Sequence, residues 1–127
     1  MYVTKDVLIP RDDTCAVVEL AIKNALFLDK DPRILDLCTG SGCIGLAVAQ
    51  RVKDSRVTLA DISKDALEFA SKRKSNIPLA VASLFDLPFA DGSFDAVLNI
   101  FSPDADEEFH RVLKTGGHLI KIIPLEN

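Results

Sequence analysis

The chain has 127 residues, 48% of them hydrophobic, which suits one folded domain with a single core, near the lower end of size for an α/β sheet. Fifteen Lys and Arg against nineteen Asp and Glu give a net charge of −4 and a pI near 5.1, a balance that disfavours holding a polyanion unaided. No apolar run approaches the roughly 18 residues of a membrane helix, and no signal peptide is visible, so the expected compartment is cytoplasmic and the expected organisation a single domain over residues 1–127.

Residues Val3 to Pro10 read as extended, and Pro10-Arg11-Asp12-Asp13-Thr14 punctuates them. Ala16, Val17, Leu20, Ala21 and Ala25 then recur at helical spacing, which predicts a helix from about Asp13 to Leu28. A strand is expected at Arg33 to Leu37, a helix at Gly42 to Lys53, a strand at Arg56 to Ala60 and a helix at Ser63 to Arg73. Leu79 to Ala82 and Phe94 to Asn99 are further apolar strands. Ser102-Pro103-Asp104 carries the signature of a helix start, with a capping serine, proline at the first helical position and acids in the first turn. Gly116-Gly117 should stop that helix, and His118 to Pro124 should form a last strand. Strands alternating with helices imply a parallel sheet with helices on both sides and ligands at the carboxyl ends of the strands.

Chemistry concentrates at Ile34-Leu35-Asp36-Leu37-Cys38-Thr39-Gly40-Ser41-Gly42-Cys43-Ile44-Gly45, a strand, a glycine turn and a helix start. Glycines at 40, 42 and 45 permit a sharp turn and close approach to a ligand, and the free N–H groups of a helix start favour a polar or anionic one. Asp61, at the end of the next strand and roughly 20 residues on, stands where a ribose-binding acid belongs. Spacing alone leaves open a dinucleotide or a nucleoside-like cofactor, and it also leaves Asp61 as a strand-end acid beside a helix that Ser63 can cap. Cys15, Cys38 and Cys43 lack the spacing of a metal or redox motif, and His110 and His118 are isolated, so no metal site is expected.

Four blocks in order resemble the class I S-adenosylmethionine-dependent methyltransferases: Asp36 to Gly42, Asp61-Ile62-Ser63, Leu87-Pro88-Phe89 with Phe94-Asp95-Ala96-Val97, and Arg111 to Gly117. The resemblance implies a Rossmann-like three-layer sandwich of about five strands, in the order 3-2-1-4-5 counted from Arg33 to Leu37, and it favours this cofactor over NAD. It also implies that Asp36, Cys38, Thr39, Gly40 and Gly42 lie along the methionine part, and that Asp61, followed by Ile62, binds the ribose. Ser83 and Leu84 would border the adenine, and Asn99 would face the transferred methyl and orient the acceptor. S-adenosyl-L-homocysteine would be the product.

The two halves resemble different enzymes. Val7 to Thr14 with Leu35 to Ile44 is similar to the release-factor glutamine methyltransferases. Val81-Ala82-Ser83, Leu87-Pro88-Phe89 and Asn99-Ile100-Phe101-Ser102-Pro103 are similar to enzymes that methylate N1 of a guanine in large-subunit rRNA, which suggests a recombinant. Asn99-Ile100-Phe101 departs from the Asn-Pro-Pro-Tyr of the first group, and the zinc module of the second is missing. An rRNA guanine is the expected ancestral acceptor; the alternatives are a release-factor glutamine and a cofactor-binding module without turnover. Because the resemblance places a further antiparallel strand over the segment His118 to Pro124, that edge is expected to lie open here and to pair with a second copy. The alternative is that Tyr2 to Pro10 folds back over it.

Overall fold

The computed structural model describes residues 3–9, 14–26, 28, 31–37, 43–72, 76–100 and 102–124. Its elements are β1 (Val3–Ile9), α1 (Thr14–Ala25), β2 (Arg33–Leu37), α2 (Cys43–Arg51), β3 (Arg56–Asp61), α3 (Lys64–Ser71), β4 (Leu79–Val81), β5 (Phe94–Ile100), α4 (Asp106–Val112) and β6 (Leu113–Pro124). The six strands form one sheet in the order β1-β6-β5-β2-β3-β4, with every pairing parallel. The five strands from β2 onward therefore stand in the expected order.

Strand β2 lies centrally because its apolar residues alternate in direction, and the two faces of the sheet need both sets. Ile34 joins a core with Val57, Leu59, Ala96, Leu98 and Ile120, covered by Ala21, Ile22 and Ala25 of α1, Val48 of α2, and Leu67 and Ala70 of α3. Leu35 and Leu37 face the other way, toward Leu84 and Leu87 of the 82–93 connection, Phe94 of β5, and Phe109 and Val112 of α4. Full burial of each large aliphatic side chain stabilises by about 1.5–3 kcal/mol.

Asp31 (φ 56°) and Asp54 (φ 63°) take left-handed conformations where the chain turns from a helix region into β2 and β3. Aspartate tolerates that region better than most residues because its short polar side chain bonds locally. The two turns are followed by the same step, since Arg33 and Arg56 each come two residues later and open the neighbouring strands.

Two expectations are corrected. The outer edge of β6 is not open: β1 pairs along it in register from Val3↔His118 to Ile9↔Pro124. Self-association through the 118–124 edge loses its basis, because the ladder groups that would have met a second copy are bonded within the chain. The start of α4 also differs. Helix begins at Asp106 rather than near Ser102, and its N-cap, Ala105, makes no side-chain cap bond. The serine that would have capped is used elsewhere, its hydroxyl donating to Asn99 Oδ1. At the other end the helix stops at Val112, before the glycines, and β6 begins at once. Its pairing with β5 is interrupted between Phe94↔Leu113 and Ala96↔His118, with Gly116 at φ 81° inside the irregular stretch.

Candidate cofactor site

The carboxyl ends of β2, β3, β4 and β5 gather Asp36, Asp61, Ser83 and Asn99 at one end of the sheet, as register pairs Asp36↔Leu59, Asp61↔Val81 and Leu37↔Asn99 show. Cys38, Thr39, Gly40 and Gly42 lie outside the described residues. Asp36 is 2% exposed and sits under α2 at Gly45, where an added Cβ would come 2.6 Å from its Oδ2 and 2.4 Å from Leu59 Cδ2. Glycine at 45 is thus required by the close approach of helix to strand, and that approach fixes where the helix start following the turn must lie.

Asp61 is half-buried at the tip of β3. Its Oδ1 accepts the Ser63 backbone N–H at 2.9 Å, and Ser63 Oγ accepts the Ala66 N–H at 3.2 Å. The predicted serine cap of α3 is real, and the aspartate also takes part in the local turn. Its backbone carbonyl accepts the Ala82 N–H at 3.0 Å, which ties the connection after β4 to the same point. Ile62, the next residue, is 72% exposed.

Ser83 and Leu84 are placed less favourably for an adenine border. The Ser83 hydroxyl accepts the Phe85 N–H at 3.2 Å within its own turn, and Leu84 is buried in the core on the α4 side. The exposed apolar groups at this end are Ile62, Val81 and Phe85, the last 66% exposed. Asn99, 3% exposed, has one hydrogen bond at each end of its amide: Nδ2 donates to the Pro103 carbonyl at 3.3 Å and Oδ1 accepts from the Ser102 hydroxyl. Its side chain shapes the connection after β5.

Sequence reading missed the groups that fasten the connections around these residues. Lys121 is paired in register with Asn99, and its Nζ reaches Asp104 at 2.8 Å and Asp106 at 3.4 Å. Burial alone would push this ammonium down, but the hydrogen bonds and charges of the two acids hold it above the ordinary lysine value. Arg111 donates to the carbonyls of Phe89 at 2.7 Å and Leu87 at 2.8 Å, to Asp91 at 2.9 Å and through Nε to Glu108 at 2.7 Å. Glu108 in turn accepts the Leu87 N–H at 2.7 Å. The Glu108–Arg111 spacing of three on one helix was the available signal.

A parallel sheet in this strand order, with helices packed on it and acids at the carboxyl ends of its strands, defines a Rossmann-like α/β domain. The chain belongs to the methyltransferase domain family, whose model matches residues 34–117. S-adenosylmethionine is the cofactor that this membership implies. The chain is 45% identical over 76 residues to a release factor glutamine methyltransferase of Leptospira interrogans, covering 60% of this chain and 27% of that protein. It is 50% identical over 64 residues to YxjB of Bacillus subtilis, described as a 23S rRNA (guanine-N(1)-)-methyltransferase, covering 50% of this chain and 23% of that one. Among solved structures, the YcgJ protein of Bacillus subtilis superposes with a TM-score of 0.68 at 28% identity, over 79% of this chain and 47% of that one. The chain spans about a quarter of the length of these two curated relatives. Among the described residues no helix is long and apolar enough to cross a membrane.

Proposed function

We propose that this chain is the cofactor-holding core of an S-adenosylmethionine-dependent methyltransferase acting in the cytoplasm, with a guanine of rRNA as its acceptor. The observation that carries the reading is Asp61, a partly exposed carboxylate at the tip of β3, within a chain matched by the family model from 34 to 117. Ribose hydroxyls are donors, and a carboxylate accepts them in pairs. Ile62 and Phe85 offer exposed apolar surface at the same end of the sheet, which suits an adenine ring. Asp36 with Cys38, Thr39, Gly40 and Gly42 would line the methionine part. Ser83 and Leu84 would act behind the adenine, through the turn and the core, rather than on its edge.

The bound cofactor supplies an activated methyl on a sulfonium, and alignment of the acceptor matters more than acid or base strength. Asn99 would act by holding the 99–103 connection in place beside the acceptor. The guanine reading is supported by the likeness to YxjB. A release-factor glutamine is the second reading, supported by the 45% identity to the Leptospira protein, and a recombinant origin would account for both likenesses. A binding module without turnover remains the limiting case.

Calorimetry with S-adenosyl-L-homocysteine tests the core of the reading. Binding in preference to NAD is expected, and Asp61→Ala should weaken it by roughly 1.5–3 kcal/mol, as for hydrogen bonds to a charged group. Unchanged affinity in a folded variant would remove Asp61 from the site. Methyl transfer to bulk RNA but not to release factor would select the first acceptor, and the reverse result the second.

A further inference from the structure

A cavity of about 400 Å³ lies at the opposite end of the sheet from Asp61, where β2 and β3 begin and the chain approaches β4. Its size is that of a small-molecule site. Arg33 and Arg56 both line it, and they are direct register partners on adjacent parallel strands. Like charges placed opposite each other in a sheet are destabilising unless something offsets them.

Among the described residues no ion pair supplies that offset. No Asp or Glu is among the described residues that line the cavity. Among the described residues the ion pairs engage Arg51, Lys64, Arg111, Lys114 and Lys121, but neither Arg33 nor Arg56. The nearby acid, Asp95, is committed elsewhere: its Oδ2 accepts the Arg33 backbone N–H at 2.8 Å, and its Oδ1 meets Lys114 at 3.3 Å. The Arg33 guanidinium is instead held over the Phe94 ring, 5.6 Å from its centroid, a contact that orients the fork without neutralising it. On a chain of net charge −4, two arginines thus share one cavity without an ion pair among the described residues.

We propose that this cavity binds a phosphate group. A guanidinium fork is a planar, always-charged donor set that matches phosphate oxygens, and Arg56, joined by Arg33 swung from the Phe94 ring, would supply two of them. Thr58 and Asn76 add a hydroxyl and an amide to the lining. Ser55 does not act as a donor there, since its hydroxyl is given to the Val52 carbonyl at 2.7 Å. Ile77 and Pro78 provide an apolar wall, which gives a phosphorylated small molecule with a flat ring more contact than free phosphate receives. The site is built by the paired Asp31 and Asp54 turns, which deliver the two arginines to the same level of the sheet.

The test uses inorganic phosphate, phenyl phosphate and benzyl alcohol as probes, titrated into the chain saturated with S-adenosyl-L-homocysteine while the amides of Arg56, Thr58 and Asn76 are followed by NMR. Saturable shifts with the phosphate probes and none with the alcohol are expected. Tighter binding of phenyl phosphate assigns the site to a phosphorylated ring compound, and equal binding to free phosphate. Arg56→Gln, an exposed residue, should weaken either probe by at least about tenfold, near the low end for hydrogen bonds to a charged group. Arg33→Gln should do the same. Asp61→Ala should leave phosphate binding unchanged, which keeps this result separate from the methyltransferase reading. Absence of saturable binding by both phosphate probes overturns the proposal, as does binding that neither arginine variant weakens.

Discussion

The two faces of the sheet are covered by different physics. On one, α1, α2 and α3 bury aliphatic residues against β2, β3, β5 and β6, and α3 is capped by its own Ser63. On the other, one seven-residue helix, α4, shares the work with the irregular 82–93 connection. An irregular segment leaves carbonyls and N–H groups that need partners. Arg111 and Glu108 provide them, binding the 87–91 backbone and Asp91. The difference shows that a face short of helix is closed by charged hydrogen bonds acting on main chain, around a core that is still apolar.

The sharpest break should come from Phe109, fully buried on the α4 side. Phe109→Ala should destabilise the fold by about 3–5 kcal/mol, measurable by urea denaturation. A cost well under this range would mean that the α4 face can collapse onto the gap and is softer than the three-helix face.

Gly45→Ala tests the opposite face. The new methyl meets Asp36 Oδ2 and Leu59 Cδ2 well inside contact distance, so a loss of about 1–3 kcal/mol is expected from overpacking. A neutral result would show that α2 can lift from the sheet without penalty.

The smallest effect is pH-dependent and confined to the latch. The Arg111 hydrogen bond, followed by the Leu87 N–H, holds the Glu108 carboxyl below its usual range against a smaller opposing effect of burial. A lowered folded value means that this contribution is complete above the ordinary glutamate range and is lost as pH falls through the folded value. Protection of the Leu87 amide, taken relative to its intrinsic exchange rate at each pH, should therefore fall on acidification, and Glu108→Gln should abolish that pH-dependent change in protection. Identical profiles for parent and variant would show that Glu108 is not what fastens the connection.

Much of the fold was legible because β2, β3 and β5 are short apolar runs between helices with regular stripes, and periodicity reports burial directly. Ser63 was legible as a cap for the same local reason. The start of α4 was not, because Ser102 and Pro103 carry a helix-start pattern while their actual partner is Asn99, which lies earlier in the chain. The Arg111 latch was largely hidden, since two of its acceptors are backbone carbonyls about 22 to 24 positions away. At the candidate site, Asp61 is placed where spacing put it, but Leu84 is core while its neighbour Phe85 is exposed. A turn residue's direction depends on its dihedrals, and composition does not encode them.

The pairing of β1 with β6 has a kinetic consequence. Strands β2, β3 and β4 can dock in succession as the chain is made, each beside its predecessor through a short crossover. Val3, by contrast, finds its partner only at His118, so β1 can be seated only after β6 has been made. Closing so long a loop is slow relative to local assembly. Until it closes, the β6 edge, with Leu119, Ile120, Ile122 and Ile123 on it, is exposed to other chains. The seating of β1 thus sets a race between completing the sheet and aggregating through it, and a protein refolded at high concentration should lose that race first at this strand.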